Sequence, residues 1–258
     1  MPLKVLQISD CHLPDVAGDT LLGLDTEMTL KRVCEHAFAH HPTPDLIALT
    51  GDITNGKEDT AYHMLREHLP KDVPLAWLPG NHDNNRVMQP VVGDEFLPSL
   101  TIGNWCLTFL DSSIDGAVPG LLEDGEVQRL DSVLRGAPDK HHLIFMHHHL
   151  KPAGCAWLDT QVVKNAPHVL GLMAGFRQLK AVAHGHVHQA FEQKHAHFDI
   201  LACPSTCFQF KPLSDNFALD DKMPGYRYFE LFDDGSYISR VERIEYIELP
   251  IDHKAGGY

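Results

Sequence analysis

LKAVAHGHVH, residues 179–188, runs from a short apolar stretch into three histidines at alternate positions, His184, His186 and His188, with Gly185 between the first two. The part LKAVAH has the length and composition of a buried strand. Residues two apart in extended backbone project to the same side. His186 and His188 can therefore clasp one centre, while Val187 between them turns away into packing. His184 shares their parity but still lies in the strand, which suits packing or support of a ligand better than ligation.

Four other segments repeat this design. KVLQIS (4–9) ends in Asp10-Cys11-His12, DLIALT (45–50) in Gly51-Asp52, PLAWLP (74–79) in Gly80-Asn81-His82-Asp83, and HHLIFM (141–146) in His147-His148-His149. Asp10 and His12 have the same spacing of two, with Cys11 expected to face the packing side. Taken singly, an Asp after a strand is usually a turn or cap residue, and a lone His is usually solvated. Potential metal ligands at the ends of these five strands point instead to a shared site, because open α/β sheets bind ligands beyond the carboxyl ends of their strands.

Between the apolar runs lie amphipathic segments with helical periodicity, Asp25 to His40, Glu58 to Leu69, Gly125 to Leu134 and Ala166 to Phe176. Strands alternating with helices predict an α/β core with parallel neighbours. Beyond residue 185, QAFEQK, HFDILA, YRYFELF and SYISRVERIEYIEL read as successive strands joined by turns such as Asp233-Asp234-Gly235. They are expected to form a second, more antiparallel sheet. With 258 residues, 43% of them apolar, and no linker-like tract or repeat, one domain over 1–258 is expected.

Lys plus Arg number 21 and Asp plus Glu 35, a formal charge of 21 − 35 = −14. Such a surface repels polyanions and argues against a nucleic-acid polymer as partner. The N-terminus MPLKVLQISD enters a strand directly, and no apolar run approaches the roughly 18 residues of a membrane span. A cytoplasmic protein with no membrane partner is expected. The six cysteines form no CxxC pair, which in that compartment reads as reduced thiols.

Asp10, His12, Asp52, Asn81, His147, His186 and His188 offer imidazole nitrogens, carboxylate oxygens and one amide oxygen. That donor set suits iron, manganese, zinc or cobalt, and it is too rich in nitrogen for calcium. It also exceeds what one ion needs. Two adjacent ions bridged by a carboxylate account for it better.

In chain order the blocks read D-x-H, G-D, G-N-H-D, H-H and G-H-x-H, a set that resembles the calcineurin-like metallophosphoesterases. WLPGNHD (77–83), FLDSS (109–113), HHHLKPAGCAWLD (147–159), PSTCFQFKP (204–212) and GGY (256–258) extend the likeness to the bacterial class III 3′,5′-cyclic-AMP phosphodiesterases. Cys11, where Thr or Leu is more usual, and His184, where a small residue or Cys is common, depart from the pattern.

The resemblance implies an α/β fold, a four-layer α/β/β/α sandwich of two mixed sheets. It also implies two metal ions per chain, iron and/or manganese with zinc or cobalt as alternatives. Asp10, His12 and His188 would hold one ion, Asn81, His147 and His186 the other, and Asp52 would bridge them. His82 is expected to contact the phosphate and Asp83 to orient it, with Asn81, His82 and His148 as substrate contacts. The implied reaction is hydrolysis of a small molecule, 3′,5′-cyclic AMP, to 5′-AMP by in-line attack of a hydroxide activated by the ions. Another small phosphodiester, a glycerophosphodiester or a 2′,3′-cyclic nucleotide, is the alternative. Trp157, Phe208 and Gln209 are candidates for the base, with core packing an equal alternative. The tail IDHKAGGY is expected to be a disordered end. A metal-free scaffold would have lost ligands, and a histidine-rich storage protein would carry its histidines in tracts.

Overall fold

A computed structural model of the chain describes residues 1–257. The first half runs through β1 (Leu3–Ile8), α1 (Thr26–His40), β2 (Leu46–Thr50), α2 (Thr60–Glu67), β3 (Leu75–Leu78) and α3 (Asn85–Val92). It continues with β4 (Ser99–Ile102), β5 (Trp105–Leu110), α4 (Asp124–Gly136), β6 (His141–Met146), the single turn α5 (Ala156–Asp159), α6 (Ala166–Ala174) and β7 (Leu179–His184). Then come β8 (Glu192–His195), β9 (Phe198–Ala202), the short pair β10 (Gln209–Phe210) and β11 (Leu219–Asp220), β12 (Gly225–Leu231) and β13 (Tyr237–Arg243).

Two mixed sheets result, of order β13-β12-β1-β2-β3 and β4-β5-β6-β7-β9-β8. This corrects the expected division. Apart from the small two-stranded pair β10–β11, the strands after residue 185 do not form a sheet of their own: β12 pairs antiparallel with β1, Leu3 opposite Leu231, whereas β9 pairs parallel with β7. The five strands that carry the polar endings are likewise split, β1 to β3 in one sheet and β6 and β7 in the other. An apolar run reveals that a strand is buried on both faces but says nothing about which strand lies beside it.

Alternation along each strand builds the layers. Ile47 and Leu49 of β2 pack with Leu30, Val33 and Ala37 of α1, while Leu46 and Ala48 face the opposite sheet. In β6, Ile144 and Met146 meet Leu130 and Leu134 of α4 and Val169 of α6, and Leu143 and Phe145 face inward. The order is therefore helix, sheet, sheet, helix. Between the sheets, Ala48, Ala76, Ala181 and Ala183 leave room for Phe109, Phe145 and Phe229. Phe109 stacks on Phe145 at 5.3 Å, and Phe229 meets Phe145 edge-on at 5.9 Å. Each such buried side chain contributes about 1.5–3 kcal/mol.

Asp25 starts α1 by accepting a hydrogen bond from the Met28 N–H at 2.9 Å. The β4–β5 hairpin and α3 are not evident in the sequence pattern; α3 carries Pro90 inside it, a residue that ordinarily signals a break. The C-terminal tail also differs from expectation. Asp252 N–H donates to the Leu22 carbonyl at 2.8 Å, and Leu249 and Ile251 pack against the cluster around Leu24 and Phe208. The tail is thus a docked strap over residues 21–24; Tyr258, part of the GGY motif, lies outside the described residues.

Candidate metal centre

The backbone changes abruptly where the strands end. Asp10, His12, Asp52, His186 and His188 take left-handed angles, with φ of 57°, 46°, 51°, 67° and 44°. The pairs Asp10/His12 and His186/His188 are therefore not aligned by strand pleating as expected. A left-handed residue on either side of Cys11, and of Val187, turns both members of a pair the same way, while Cys11 and Val187 are fully buried in the packing. Such a conformation costs about 1–3 kcal/mol per residue and persists only where its surroundings over-determine it. Here the loops zip together beyond the sheets: Asp10 N–H to Gly51 O at 3.0 Å, His12 N–H to Asp52 O at 2.9 Å, and Gly185 N–H to His147 O at 3.1 Å.

The donor atoms converge. His12 Nε2 lies 3.1 Å from His188 Nε2, and His188 Nε2 lies 3.4 Å from Asp10 Oδ1. Asp52 Oδ2 stands between this group and the next, 3.7 Å from His12 Nε2 and 3.2 Å from His147 Nε2. Donors sharing an ion at about 2.0–2.2 Å sit roughly 3–3.5 Å apart, which these separations match. The ring orientations are fixed from behind, because carbonyl oxygens can only accept: His147 Nδ1–H donates to Thr50 O at 2.8 Å and His188 Nδ1–H to Phe208 O at 2.9 Å. Each imidazole therefore turns its Nε2 inward.

The residues present fit a pair of cations. His186 Nε2 and Asn81 Oδ1 are buried without a hydrogen-bond partner among the described residues, an arrangement that costs about 1–3 kcal/mol per group if left unmet. Burial holds the His12 and His186 imidazoles well below their usual range, so they stand as neutral donors. Burial would lower His147 too, but the Asp52 carboxylate outweighs it and raises that imidazole to about 9. Burial pushes Asp52 upward, yet the neighbouring His147, His82 and His12 rings hold it well below the carboxylate range.

His82 is half-buried beside this centre. It offers a ring nitrogen within 4.8 Å of the donors of His12 and Asp52, and its main-chain N–H holds Asp52 Oδ1 at 2.8 Å. Asp83, expected to orient His82, has another set of bonds. Its carboxylate accepts from the N–H groups of Gly80 at 2.8 Å and of Ile53 and Thr54 at 3.2 and 3.3 Å, and from the Tyr62 hydroxyl at 3.2 Å. Asp83 thus clamps the loop bearing Asn81 and His82 to the loop bearing Asp52, a positioning role. Its acidity is weakened, to about 6, by burial and by Asp52.

His148, expected to meet substrate, is fully buried. Its Nε2–H donates to Val118 O at 3.0 Å and its Nδ1 accepts from the Ser112 hydroxyl at 2.8 Å, so both ring nitrogens are spent on the protein. Its work is to fix the 112–118 loop to the strand end that carries His147. Phe208 and Gln209 take the packing alternative. Phe208 lies buried under the rings of His12 and His188, and the Gln209 amide is consumed by Ser205 O at 2.9 Å and Arg243 Nη1 at 3.0 Å. Trp157 does border the cleft in front of the metal centre. His184 packs beside the site with its Nδ1 on Gly185 O at 2.9 Å, and burial pushes it down to about 4.

Other contributors lie outside the set that strand endings single out. Ser205 donates to Asp10 O at 2.8 Å, and Gly80 and Gly185 have no space for a side chain. A Cβ on Gly80 would fall 2.2 Å from Asp52 Oδ1, and one on Gly185 2.5 Å from Asp10 Oδ2. The signal for them is visible in G-N and G-H, since glycine marks close backbone approach. Gly80→Ala is expected to displace the Asp52 carboxylate and lower metal affinity about 10–100-fold, the usual scale for a supporting residue. Metal titration followed by calorimetry checks this; unchanged affinity would mean that the loop yields freely.

A buried pair of histidine and carboxylate pockets sharing one aspartate, at the strand ends of a two-sheet α/β sandwich, defines a metal-dependent phosphoesterase class. The sequence pattern of the calcineurin-like phosphoesterases matches residues 3–190, and the chain belongs to that family. It is 38% identical, over 98% of its length and 94% of the relative's, to the 3′,5′-cyclic adenosine monophosphate phosphodiesterase CpdA of Pseudomonas aeruginosa. The protein of that name from Escherichia coli K12 is 35% identical over 99% of this chain and 95% of its own. Among solved structures, a dimetal phosphatase from Danio rerio superposes with a TM-score of 0.65 over 95% of this chain and 100% of that one, at 13% identity, a likeness of fold.

Proposed function

We propose that the chain is a dinuclear-metal phosphodiesterase that hydrolyses 3′,5′-cyclic AMP to 5′-AMP, working as one domain in the cytoplasm. The observation that carries this reading is the Asp52 oxygen standing between two sets of inward-facing donors. Near-full-length similarity to proteins named as cyclic-AMP phosphodiesterases supports the substrate. Free thiols at all six cysteines accord with a reducing compartment. No described helix is long and apolar enough to cross a membrane.

In this reading Asp10, His12 and His188 hold one ion, Asn81, His147 and His186 the other, and Asp52 both. Iron and/or manganese suit the donors, with zinc or cobalt as alternatives. Bound there, two divalent ions would polarise the phosphoryl oxygens and acidify a water. The protein's own contributions are to hold these donors rigid and to place His82 at the phosphate. A His82 imidazolium there donates to a phosphoryl oxygen or passes its proton to the departing ribose 3′-oxygen. Cations held by these residues would offset the carboxylates and let a chain of formal charge −14 accept a small anion, while its surface disfavours nucleic acid.

The deciding experiment strips the protein of metal and reloads it separately with Fe(II), Mn(II) or Zn(II). Turnover is then measured on 3′,5′-cyclic AMP, 2′,3′-cyclic AMP and a glycerophosphodiester. Metal-dependent formation of 5′-AMP, well ahead of the other two reactions, is expected. Faster hydrolysis of either alternative would retain the centre and overturn the substrate.

A further inference from the structure

Asp52, Asn81, His82 and His186 share one cavity of about 230 Å³ with groups that take no part in the metal chemistry, among them Val118, Trp157 and Gln161. Trp157 and Gln161 stand four apart across the turn α5, where Gln161 N–H donates to the Leu158 carbonyl at 2.8 Å. Gln161 lies in the turn that follows α5, and both side chains border the same cleft. Phe210 and Phe217 brace the indole edge-on, with ring centres 4.9 and 5.4 Å away. Val118, which also lines the cleft, is 48% exposed, and its carbonyl is anchored by His148 at 3.0 Å. Trp157 and Val118 thus border one apolar slot that opens toward Asn81 and His82.

The Gln161 side-chain amide borders this slot. Resting on the cyclic-AMP reading above, we propose that Trp157 and Val118 hold the faces of the purine and that Gln161 reads its edge, selecting adenine over guanine. An amide presents an acceptor beside a donor. Adenine answers with its 6-amino group and a neighbouring ring nitrogen, giving two bonds. Guanine shows two acceptors, O6 and N7, on the corresponding edge, of which one amide satisfies only one. Stacking and apolar contact tolerate any base, so discrimination falls to the edge contact.

The test measures kcat/KM for 3′,5′-cyclic AMP and 3′,5′-cyclic GMP on the metal-loaded wild type, Gln161→Ala and Gln161→Arg. In Gln161→Ala the ratio of the two is expected to fall about tenfold, mainly through a higher KM for cyclic AMP. Gln161→Arg, whose guanidinium faces O6 and N7 with two donors, is expected to carry the ratio further toward guanine. Both nucleotides are assayed on one preparation, so any loss of folded protein cancels in the ratio; a merely structural residue would depress both rates together. An unchanged ratio in both variants overturns the role of Gln161. A wild type that hydrolyses neither nucleotide overturns the substrate reading itself, and the adenine site with it.

Discussion

Asp52→Asn is expected to empty both halves of the metal centre and to lower phosphodiester turnover by roughly 10³-fold or more, since metal-ion stabilisation supplies several kcal/mol and each 1.36 kcal/mol is a factor of ten. The side chain is isosteric, so packing does not account for the loss. Asp52 Oδ1 accepts from the His82 N–H at 2.8 Å, and Oδ2 faces His147 Nε2 at 3.2 Å and His12 Nε2 at 3.7 Å. An amide can keep its oxygen on His82, which turns an NH₂ donor toward the place of the ions. It can instead turn its oxygen inward, which sets two donors against each other at His82. Neither orientation restores the negative charge between two cations. Elemental analysis is the check, and two ions per chain in Asp52→Asn would refute the bridging role.

His82→Ala is expected to reduce kcat about 10²–10⁴-fold, the contribution of a positioned acid, while metal content stays near two per chain. The separation of the two effects follows from which part of His82 does what. Its N–H, which alanine keeps, holds Asp52; its ring, which alanine lacks, lies edge-on to the His12 ring with centres 4.7 Å apart, facing the cleft. Losing the ions along with the activity would show that the ring is itself a ligand. Wild-type kcat would remove His82 from the chemistry.

Taken together, the two variants are expected to separate a carboxylate that holds charge from an imidazole that moves a proton. Gly80 and Asp83 support both, since each joins the Asn81–His82 loop to the Asp52 loop.

Much of the centre is legible in the amino-acid sequence. A strand buried on both faces must be an apolar run, as LIALT and HLIFM are, and where it stops, the next polar residues lie at the rim of the sheet. Metal ligation restricts those residues to a few types. Strand ends and ligand types together are enough to bring out Asp10, His12, Asp52, Asn81, His147, His186 and His188 as candidates. Helices α1 and α4 are legible from their apolar periodicity, whereas α3 is obscured by Pro90.

What the residues do not reveal depends on contacts distant in the chain. The edge strand of one sheet, β13, and the partner of β1, β12, come from the last quarter of the chain, and no local pattern encodes that pairing. His147 and His148 are adjacent and chemically identical. One turns its Nε2 toward Asp52, while the other spends both nitrogens on Ser112 and Val118, in a loop far back along the chain. Gln209 and Gln161 are both amides near aromatic rings, but Arg243 and Ser205 consume the first, and the second borders the cleft. The chemistry of the centre is thus written in residue type and in position at strand ends, because burial and ligation are local demands. Its geometry, with the left-handed turns that aim Asp10, His12, Asp52, His186 and His188 inward, is decided by the tertiary structure, because only the meeting of loops from two sheets holds a backbone in so unfavourable a state.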